Sequence, residues 1–390
     1  MNAAPDTPTT ARPWFARLKA HVDWRWKRTR QAPGRLLNHW LGNFWYDLWL
    51  KRKARITRGR LAESERCAVY VLYPRMGLQD SHLASLAYLV GKGFVPLVVS
   101  NLPLMPDERE RLLPLCWQLV ERPNYGYDFG AYRDGVLLAL EAVPSMRQLI
   151  LANDSVWFPV PHDSDWLAKA ERLNVDLAGA ASNYGWVDYL TDAGRGRHWV
   201  LDPLAPQLHY CSFALLLGSR ILGDPEFNQF WRELKLTSDK FLTIRRGEVG
   251  LSRWIIDRGY SHAETLDLTR FNQELEQLDS ARLLDLVKHL IIPEDAEMRK
   301  EQQRLIEKPA EHSDPVALQR FILWATAATG PAYALPYWSL QEMGFGFLKK
   351  SPMWLSEPTA HITESLIEHH GDSAMLNEAR KLAGWNRRKL

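Results

Sequence analysis

Between residues 66 and 154 the sequence alternates short apolar runs with segments of helical spacing. The apolar runs of strand length are "CAVYVLY", "FVPLVVSN", "CWQLVER" and "RQLILAND". The helical segments between them are "SHLASLAYLVGKG", "MPDERERLLPL" and "GAYRDGVLLALEAV". Strands that alternate with helices form parallel sheets covered by those helices. The sequence therefore predicts an α/β fold whose ligand site lies at the carboxyl ends of its strands.

Three parts of the chain differ in composition and pattern. Residues 1–60 hold 14 Lys and Arg, three Asp and Glu, and six Trp, whereas the rest of the chain is mildly acidic. Residues 61–265 contain the alternating strands and helices, and residues 266–390 have mostly helical spacing. We predict a basic Trp-rich helical segment, a sheet domain and a helical C-terminal region with these boundaries.

The basic segment contains "RLLNHWLGNFWYDLWLKRK", which is typical of an amphipathic helix with basic ends. Such a helix can lie in a membrane interface with its aromatic rings at headgroup level and its cations on phosphates. This pattern predicts attachment to a membrane surface through residues 1–60. The alternatives are a helix packed on the body of the protein and a nucleic-acid contact. No recognised nucleic-acid motif accompanies the charge, so no nucleic-acid partner is expected.

Other features indicate the compartment. No stretch has the ~18 apolar residues that a membrane span needs, and the N-terminus lacks the apolar core of a signal peptide. Cys67, Cys116 and Cys211 lie far apart, without zinc spacing or a disulfide framework. We expect buried thiols in a cytoplasmic protein, peripheral at the inner face of the cytoplasmic membrane.

The loop and helix start "NYGYDFGAYRDG" are rich in Gly, Asn and Asp and stand at the predicted ligand edge. The loop is not a P-loop, because no G-K-[ST] follows it, and its glycine spacing does not fit the dinucleotide fingerprint. Its order relative to other motifs is more informative.

GT-A glycosyltransferases, which use nucleotide-sugars, carry a strand ending in Asn or Asp, an N-x-G loop, a helix and a strand ending in a D-x-D-like motif. A later helix starts with an acidic residue. This sequence has "VVSN", "NYGYDFGAYRDG", "LILANDS" and "GEVGLSRWIIDRGY" in that order. It resembles the rhamnan synthesis protein F family more closely, through these blocks with "LHYCSFALLL", "FNQFWREL" and "PAYALPYWSLQEMGFGFLKKSPMW".

The resemblance implies a GT-A-like, Rossmann-type sheet that binds a nucleotide-sugar. It implies transfer of a sugar, often L-rhamnose from dTDP-rhamnose, onto a growing bacterial surface polysaccharide or lipid-linked glycan. The donor-binding residues would be Asn101, Asn124, Gly126, Asp128, Gly130, Arg133, Asp134, Asn153 and Asp154. The alternative for the charged residues of the loop is a local network of caps and ion pairs.

A donor diphosphate needs positive charge, and divalent metals, Lys and Arg commonly supply it. Asp154 is the candidate ligand for Mg²⁺ or Mn²⁺, although "NDS" offers one carboxylate where D-x-D offers two. Lys349 and Lys350 are further candidates for donor or lipid phosphate, or else a solvated charge pair.

Inverting transfer needs a base that accepts the proton of the acceptor hydroxyl. Glu248 occupies the register of the catalytic base of family 2 glycosyltransferases, with Gly247 where that family has its first acid. The alternative role for Glu248 is to start the helix that follows. Trp157, His209 and Tyr210 are expected on the acceptor side, with core packing as the alternative for Trp157.

Two other functions fit parts of the sequence. A sugar-phosphate transferase or nucleotidyltransferase would carry a Gly-rich, basic loop after the first strand, but "YPRMGLQDSH" has one Gly and one Arg. A non-catalytic scaffold that binds nucleotide-sugar or glycan in a polysaccharide biosynthesis complex would explain the incomplete D-x-D motif. The retained register of Glu248 favours an enzyme.

Overall fold

The computed structural model describes residues 46–190, 197–293 and 295–387. The strands are β1 Arg55–Arg58, β2 Arg66–Leu72, β3 Val95–Ser100, β4 Gln118–Glu121, β5 Gln148–Asn153, β6 Val156–Trp157, β7 Leu177–Gly179, β8 Ser182–Asn183, β9 Trp186–Leu190, β10 Arg197–Leu201, β11 His209–Tyr210, β12 Ala214–Gly218, β13 His262–Glu264 and β14 Leu348–Lys349.

The α-helices are α1 Asp80–Gly91, α2 Pro106–Leu112, α3 Tyr127–Ala142, α4 Trp166–Arg172, α5 Ser219–Leu222, α6 Pro225–Glu233, α7 Lys240–Ile244, α8 Gly250–Asp257, α9 Phe271–Glu276, α10 Ser280–His289, α11 Ala296–Ile306, α12 Pro315–Thr329, α13 Pro331–Ala334, α14 Pro336–Gln341, α15 Glu357–His370 and α16 Ser373–Arg387. Tighter or wider helical turns cover Tyr46–Leu50, Lys51–Lys53, Leu113–Leu115, Arg245–Val249, Ala310–His312 and Ser351–Trp354.

Eight strands form the main sheet, in the order β1-β4-β3-β2-β5-β12-β7-β13. β4, β3, β2 and β5 are parallel, as the alternating pattern predicts. β12 lies antiparallel between β5 and β7, and β13 is parallel to β7. The chain runs outward from β2 to β4 and then returns to β5 on the other side of β2. The order of the strands therefore reverses between β2 and β5, which is where open α/β sheets bind ligands.

From Cys67 to Leu72, β2 is buried and largely apolar because helices cover both faces of the sheet. Cys67, Val69 and Val71 pack in one hydrophobic cluster with residues of α3. Ala68, Tyr70 and Leu72 pack in the opposite cluster with residues of α1. The alternation between faces thus persists in a strand whose sequence shows no alternation of polarity.

α3 lies very close to the central strands because Gly135 faces them. A Cβ atom at position 135 would stand 2.5 Å from Val69 Cγ1 and 3.0 Å from Val99 Cγ2. These β-branched side chains are fixed by the core, so they have little room to move. Any larger residue would push the helix away from the sheet.

The part of the basic segment that the structure describes packs on the sheet domain. Tyr46 is fully buried and stacks on Tyr125, with 5.7 Å between ring centroids. β1 pairs antiparallel with β4 at the edge of the sheet. For residues 46–58 the structure therefore matches the alternative of packing on the body. Residues 1–45, which carry most of the predicted membrane-attaching segment, lie outside the described residues.

The C-terminal region is mostly helical, as predicted, and it reaches the ligand edge of the sheet. β14 pairs antiparallel with β6, which follows β5 after two residues. α15 and α16 contribute to a hydrophobic cluster with Trp157 and Leu348. Within the described parts of the chain, no helix is long and apolar enough to cross a membrane. The three cysteine thiols are free and buried, as predicted.

Substituting Gly135 by Ala tests the close contact of α3 with the sheet. We expect Gly135→Ala to lower the free energy of unfolding by about 1–3 kcal/mol, because the added methyl group overpacks a fixed interface. Gly91→Ala is the matched control: no atom lies within 4 Å of its Cβ position, and a gain of about 0.5 kcal/mol is expected in a helix. Urea unfolding measures both, and equal effects at the two sites would contradict this account.

Candidate functional site

Asp154 connects the ends of the two strands at which the sheet order reverses. It follows β5, and its Oδ2 accepts a hydrogen bond of 2.6 Å from the backbone N–H of Tyr73, which follows β2. His82 Nε2 lies 3.8 Å from the same oxygen. Gln79 N–H donates to His82 Nδ1 at 3.1 Å, so a neutral His82 carries its proton on Nε2, facing the carboxylate.

Burial shifts the pKa values of His82 and Asp154 in opposite directions. Burial lowers the pKa of His82 well below its usual value, and the positive charge of Lys350 lowers it further. Burial raises the pKa of Asp154, while Lys350 and the N–H of Tyr73 act to lower it. A neutral His82 beside Asp154 follows from these shifts.

Asp128, in the first turn of α3, lies near Asp154. Asn153 Nδ2 donates to Asp128 Oδ2 at 3.4 Å. Burial, followed by the negative charges of Asp154 and Glu248, raises the pKa of Asp128 to about 7, against the opposing charges of Lys349 and Lys240. Three predicted carboxylates from separate parts of the chain therefore share one electrostatic site.

Glu248 lies in the π-helical turn that precedes α8. Its Oε1 accepts hydrogen bonds of 2.7 Å from both the backbone N–H and the hydroxyl of Ser212. Its Oε2 faces His209 Nε2 at 3.8 Å. One oxygen is thus held by two donors, while the other lies opposite the imidazole of His209.

His209 is oriented by its other nitrogen. Nδ1 lies 2.8 Å from the carbonyl oxygen of Gln207, so Nδ1 carries a proton there. Nε2 lies 3.5 Å from Asn183 Nδ2 and faces Glu248. Of the three residues predicted on the acceptor side, His209 alone lies beside the predicted base.

Gly247 stands where the resemblance to family 2 enzymes would place an acid. A Cβ atom at this position would lie 2.2 Å from the ring of Phe129. Phe129 is buried and comes from α3, directly after Asp128. The departure from that motif therefore has a steric reason, because an aromatic side chain fills the space of the missing carboxylate.

Gly126 and Gly130 of "NYGYDFGAYRDG" allow the backbone conformation and close packing at the start of α3. Gly126 has φ of 79° and precedes α3, a conformation that L-residues rarely adopt. A Cβ atom at position 130 would lie 2.1 Å from the carbonyl oxygen of Tyr125. Asn124 is exposed in the same loop. Donor contact by these three residues stays a prediction.

Asn101 and Asp134 have partners inside the fold. Buried Arg122 donates to Asp134 Oδ2 at 2.8 Å and to Asn101 Oδ1 at 2.5 Å. It also donates to the hydroxyl of Tyr46, which in turn donates to Asp134. These contacts match the alternative of a local network that shapes the loop.

Arg133 belongs to the same side of α3. It binds both carboxylate oxygens of Asp47, at 2.7 and 2.8 Å, and donates to the carbonyl oxygen of Trp231 at 3.1 Å. It therefore holds the segment before β1 against the body. The structure gives Asn101, Arg133 and Asp134 structural partners, and their contact with donor remains a prediction.

Trp157 and Tyr210 lie in the core. Trp157 has no exposed surface and packs among residues of the C-terminal region. Tyr210 is 1% exposed, and its hydroxyl lies 2.7 Å from His262 Nδ1. For Trp157 the structure matches the alternative of core packing, because β6 is covered by β14 and the helices that follow it.

The carboxylates do not form a metal donor set. Among the residues that the structure describes, no group of three or more His, Cys, Asp or Glu side chains could hold a metal ion. Asp154 Oδ2 already accepts the N–H of Tyr73. The described residues thus offer no preformed set of three protein ligands for the predicted Mg²⁺ or Mn²⁺, whose binding is untested.

Comparison with known proteins identifies the family. The family model described as rhamnan synthesis protein F matches residues 96–294, half of the chain. The chain belongs to the rhamnan synthesis protein F family. The predicted membership is thus confirmed, and it connects the protein with polysaccharide synthesis. The matched residues of this family member run from β3 to beyond α10 and include all three carboxylates of the site.

One relative is uncharacterized protein y4gN of Sinorhizobium fredii (strain NBRC 101917 / NGR234). It is 29% identical over 221 residues, which cover 56% of this chain and 54% of the relative. The match thus spans about half of the relative's length. No solved structure matches the chain.

Sequence reasoning missed several residues of the site in this rhamnan synthesis protein F family member. Tyr73 acts through its backbone N–H, so its side chain gives no signal. His82 is recognisable only once its partner, 72 residues away, is known. "LHYCSF" did indicate the region of Ser212 through its place in the family pattern.

Asp128→Asn tests the crowding of the carboxylates. Because the pKa of Asp128 is raised to about 7, ionising it costs stability as the pH rises from about 4 through 7. We expect the advantage of Asp128→Asn in free energy of unfolding to grow by ~2 kcal/mol between pH 5 and pH 8. Urea unfolding at both pH values measures this difference. Exposed Asp163→Asn is the control, and a pH-independent difference for Asp128→Asn would contradict the crowding.

Proposed function

We propose that this protein is an inverting glycosyltransferase of the GT-A type. It transfers a sugar, with L-rhamnose from dTDP-rhamnose as the preferred donor, onto a growing surface polysaccharide or lipid-linked glycan. The observation that carries the proposal is the geometry of Glu248. A carboxylate with one oxygen held by Ser212 and the other left beside His209 to accept a proton is arranged as a general base.

The sheet supports a donor site next to this base. A nucleotide-sugar in the crevice between the ends of β2 and β5 would lie beside Asp128, Asn153 and Asp154. Asn153 and Asp128 offer hydrogen bonds to base or ribose. The exposed Asn124 lies in the loop before α3.

The reaction uses few protein groups. The acceptor hydroxyl oxygen forms a bond to the anomeric carbon as the bond between that carbon and the diphosphate oxygen breaks. The hydroxyl proton passes to Glu248 Oε2, and the nucleoside diphosphate leaves with the bonding electron pair. His209 Nε2 lies 3.8 Å from Oε2, beside the oxygen that takes the proton. Attack from the face opposite the leaving group inverts the anomeric centre.

The basic segment, residues 1–60, supports a place at the inner face of the cytoplasmic membrane, where lipid-linked acceptors would be found. Its 14 Lys and Arg residues suit an anionic membrane surface. This part of the proposal rests on composition.

A non-catalytic scaffold that binds nucleotide-sugar or glycan is the second candidate. The engagement of Asp154 by Tyr73 N–H and the incomplete D-x-D motif favour it. In a scaffold, however, the two hydrogen bonds from Ser212 to Glu248 would have only a local structural role. The glycosyltransferase would turn over its nucleotide-sugar donor, whereas the scaffold would bind the donor without turnover.

Glu248→Gln separates binding from chemistry. The full chain is mixed with a panel of nucleotide-sugars that includes dTDP-L-rhamnose, and binding is measured by calorimetry and turnover by release of nucleoside diphosphate. We expect Glu248→Gln to keep donor affinity within about twofold and to lose 10²–10⁴-fold in kcat, because the amide cannot accept the proton. Glu297→Gln, an exposed residue paired with Lys300, is the control and should keep full turnover.

The other outcomes are equally decisive. Turnover that survives in Glu248→Gln contradicts the assignment of the base. Donor binding by the wild-type protein without turnover on any acceptor favours the scaffold. No binding of any nucleotide-sugar contradicts both.

A further inference from the structure

The late block, "PAYALPYWSLQEMGFGFLKKSPMW", contains two adjacent lysines, Lys349 and Lys350. These two lysines have different environments. Lys350 is buried, and its Nζ donates to Glu378 Oε1 at 2.8 Å and to Ser81 Oγ at 3.0 Å. The charge of Lys350 is therefore paired inside the protein, and its ammonium group connects α16 to α1. The solvated charge pair considered for these two residues is not what the structure contains. Lys349, the last residue of β14, is the remaining candidate for an anion.

The pairing of β14 places Lys349 at the ligand edge of the sheet. Lys349 pairs with Val156, two residues after Asp154, and Lys350 N–H donates to the carbonyl oxygen of Ser155 at 3.1 Å. Both segments are thus fixed by backbone hydrogen bonds. The lysine stem starts from a rigid position next to the predicted donor site.

Aromatic rings hold the ammonium group of Lys349. Nζ lies 4.2 Å from the ring centroid of Phe213 and 5.3 Å from that of Tyr333. Phe213 follows Ser212, which binds Glu248. A ring face attracts a cation without cancelling its formal charge, so the ammonium can still bind an anion. Lys349 makes no ion pair with any carboxylate among the described residues.

The surroundings of Lys349 make its charge important for an anionic ligand. Asp128, Asp154 and Glu248 would repel a diphosphate, and the charge of Lys349 reaches Asp128, where it acts against the raised pKa. The described residues hold no preformed group of three or more His, Cys, Asp or Glu side chains for a divalent metal. A cationic side chain near the crevice can supply the positive charge that a diphosphate needs.

We propose that Lys349 binds the diphosphate of the donor and supplies there the positive charge that a carboxylate-bound divalent metal would otherwise provide. The proposal rests on the proposed function, since it concerns the same donor site. It assigns the late block, outside the residues that match the family, a direct part in ligand binding.

The first test measures affinity with and without divalent metal. Calorimetry of the full chain with dTDP, UDP and GDP is carried out in EDTA and again in MgCl₂ and MnCl₂. We expect the nucleotide that binds to do so in EDTA within about twofold of its affinity with metal. This arm uses only the wild-type protein, so it does not depend on the folding of any variant.

The second test removes the charge. Lys349→Met should weaken the diphosphate about 10- to 100-fold, since it removes a charge-assisted contact, and should weaken the matching monophosphate less. Lys349→Arg, which keeps the charge, should recover part of the affinity. Lys300→Met, which removes an exposed lysine paired with Glu297, is the control and should leave both affinities unchanged.

The remaining outcomes contradict either the role of Lys349 or the proposed function as a whole. Binding that disappears in EDTA and returns with Mg²⁺ or Mn²⁺ overturns the role of Lys349 and leaves the glycosyltransferase proposal standing. Equal losses for diphosphate and monophosphate in Lys349→Met overturn it as well, because they indicate a structural effect. If the wild-type protein binds no nucleotide in any buffer, the donor site and the proposed function both fail.

Discussion

The hydrogen bond from Tyr73 N–H to Asp154 is the contact on which the site depends. It joins the ends of β2 and β5 at the point where the strand order reverses. A buried carboxylate is costly unless donors or charges compensate it. Here the compensation comes from the backbone N–H and from the charge of Lys350.

The compensation of Asp154 depends on an ion pair with the C-terminal helices. Lys350 is itself buried and needs Glu378, which lies on α16 near the end of the described chain. Breaking a buried ion pair by removing one partner leaves the other charge without compensation, which costs far more than the pair contributes. The C-terminal helices therefore stabilise the ends of the central strands as well as their own cluster. The sheet and the helical region form one structural unit around the site.

Several features could be predicted from sequence because they are local. The parallel strands follow from apolar runs alternating with helical spacing, and α6 begins where Asp224 precedes Pro225, as capping rules require. Asp128, Asn153, Asp154, Glu248 and His209 were singled out, and the structure brings them to one edge of the sheet.

The remaining features depend on pairings between distant residues. Tyr46 lies 88 residues from Asp134, and β14 lies about 190 residues from β6, so no local pattern encodes either contact. Trp157 is buried because β14 and α15 cover it, and Asp134 has a partner inside the fold because Arg122 turns inward. The motif "GYDFGAYRDG" thus mixes residues of the site with residues of the core, which spacing alone cannot separate.

α3 explains how the two sides of the site are kept in register. Asp128 faces Asn153 on the donor side, and the next residue, Phe129, packs over Gly247 and so fixes the turn that carries Glu248. Phe129 also stacks near Trp231 of α6, with 6.2 Å between centroids. The start of this one helix therefore contacts both the proposed donor side and the turn that carries Glu248. Its packing sets the distance between them, and the proposed transfer between two bound substrates depends on such a fixed distance.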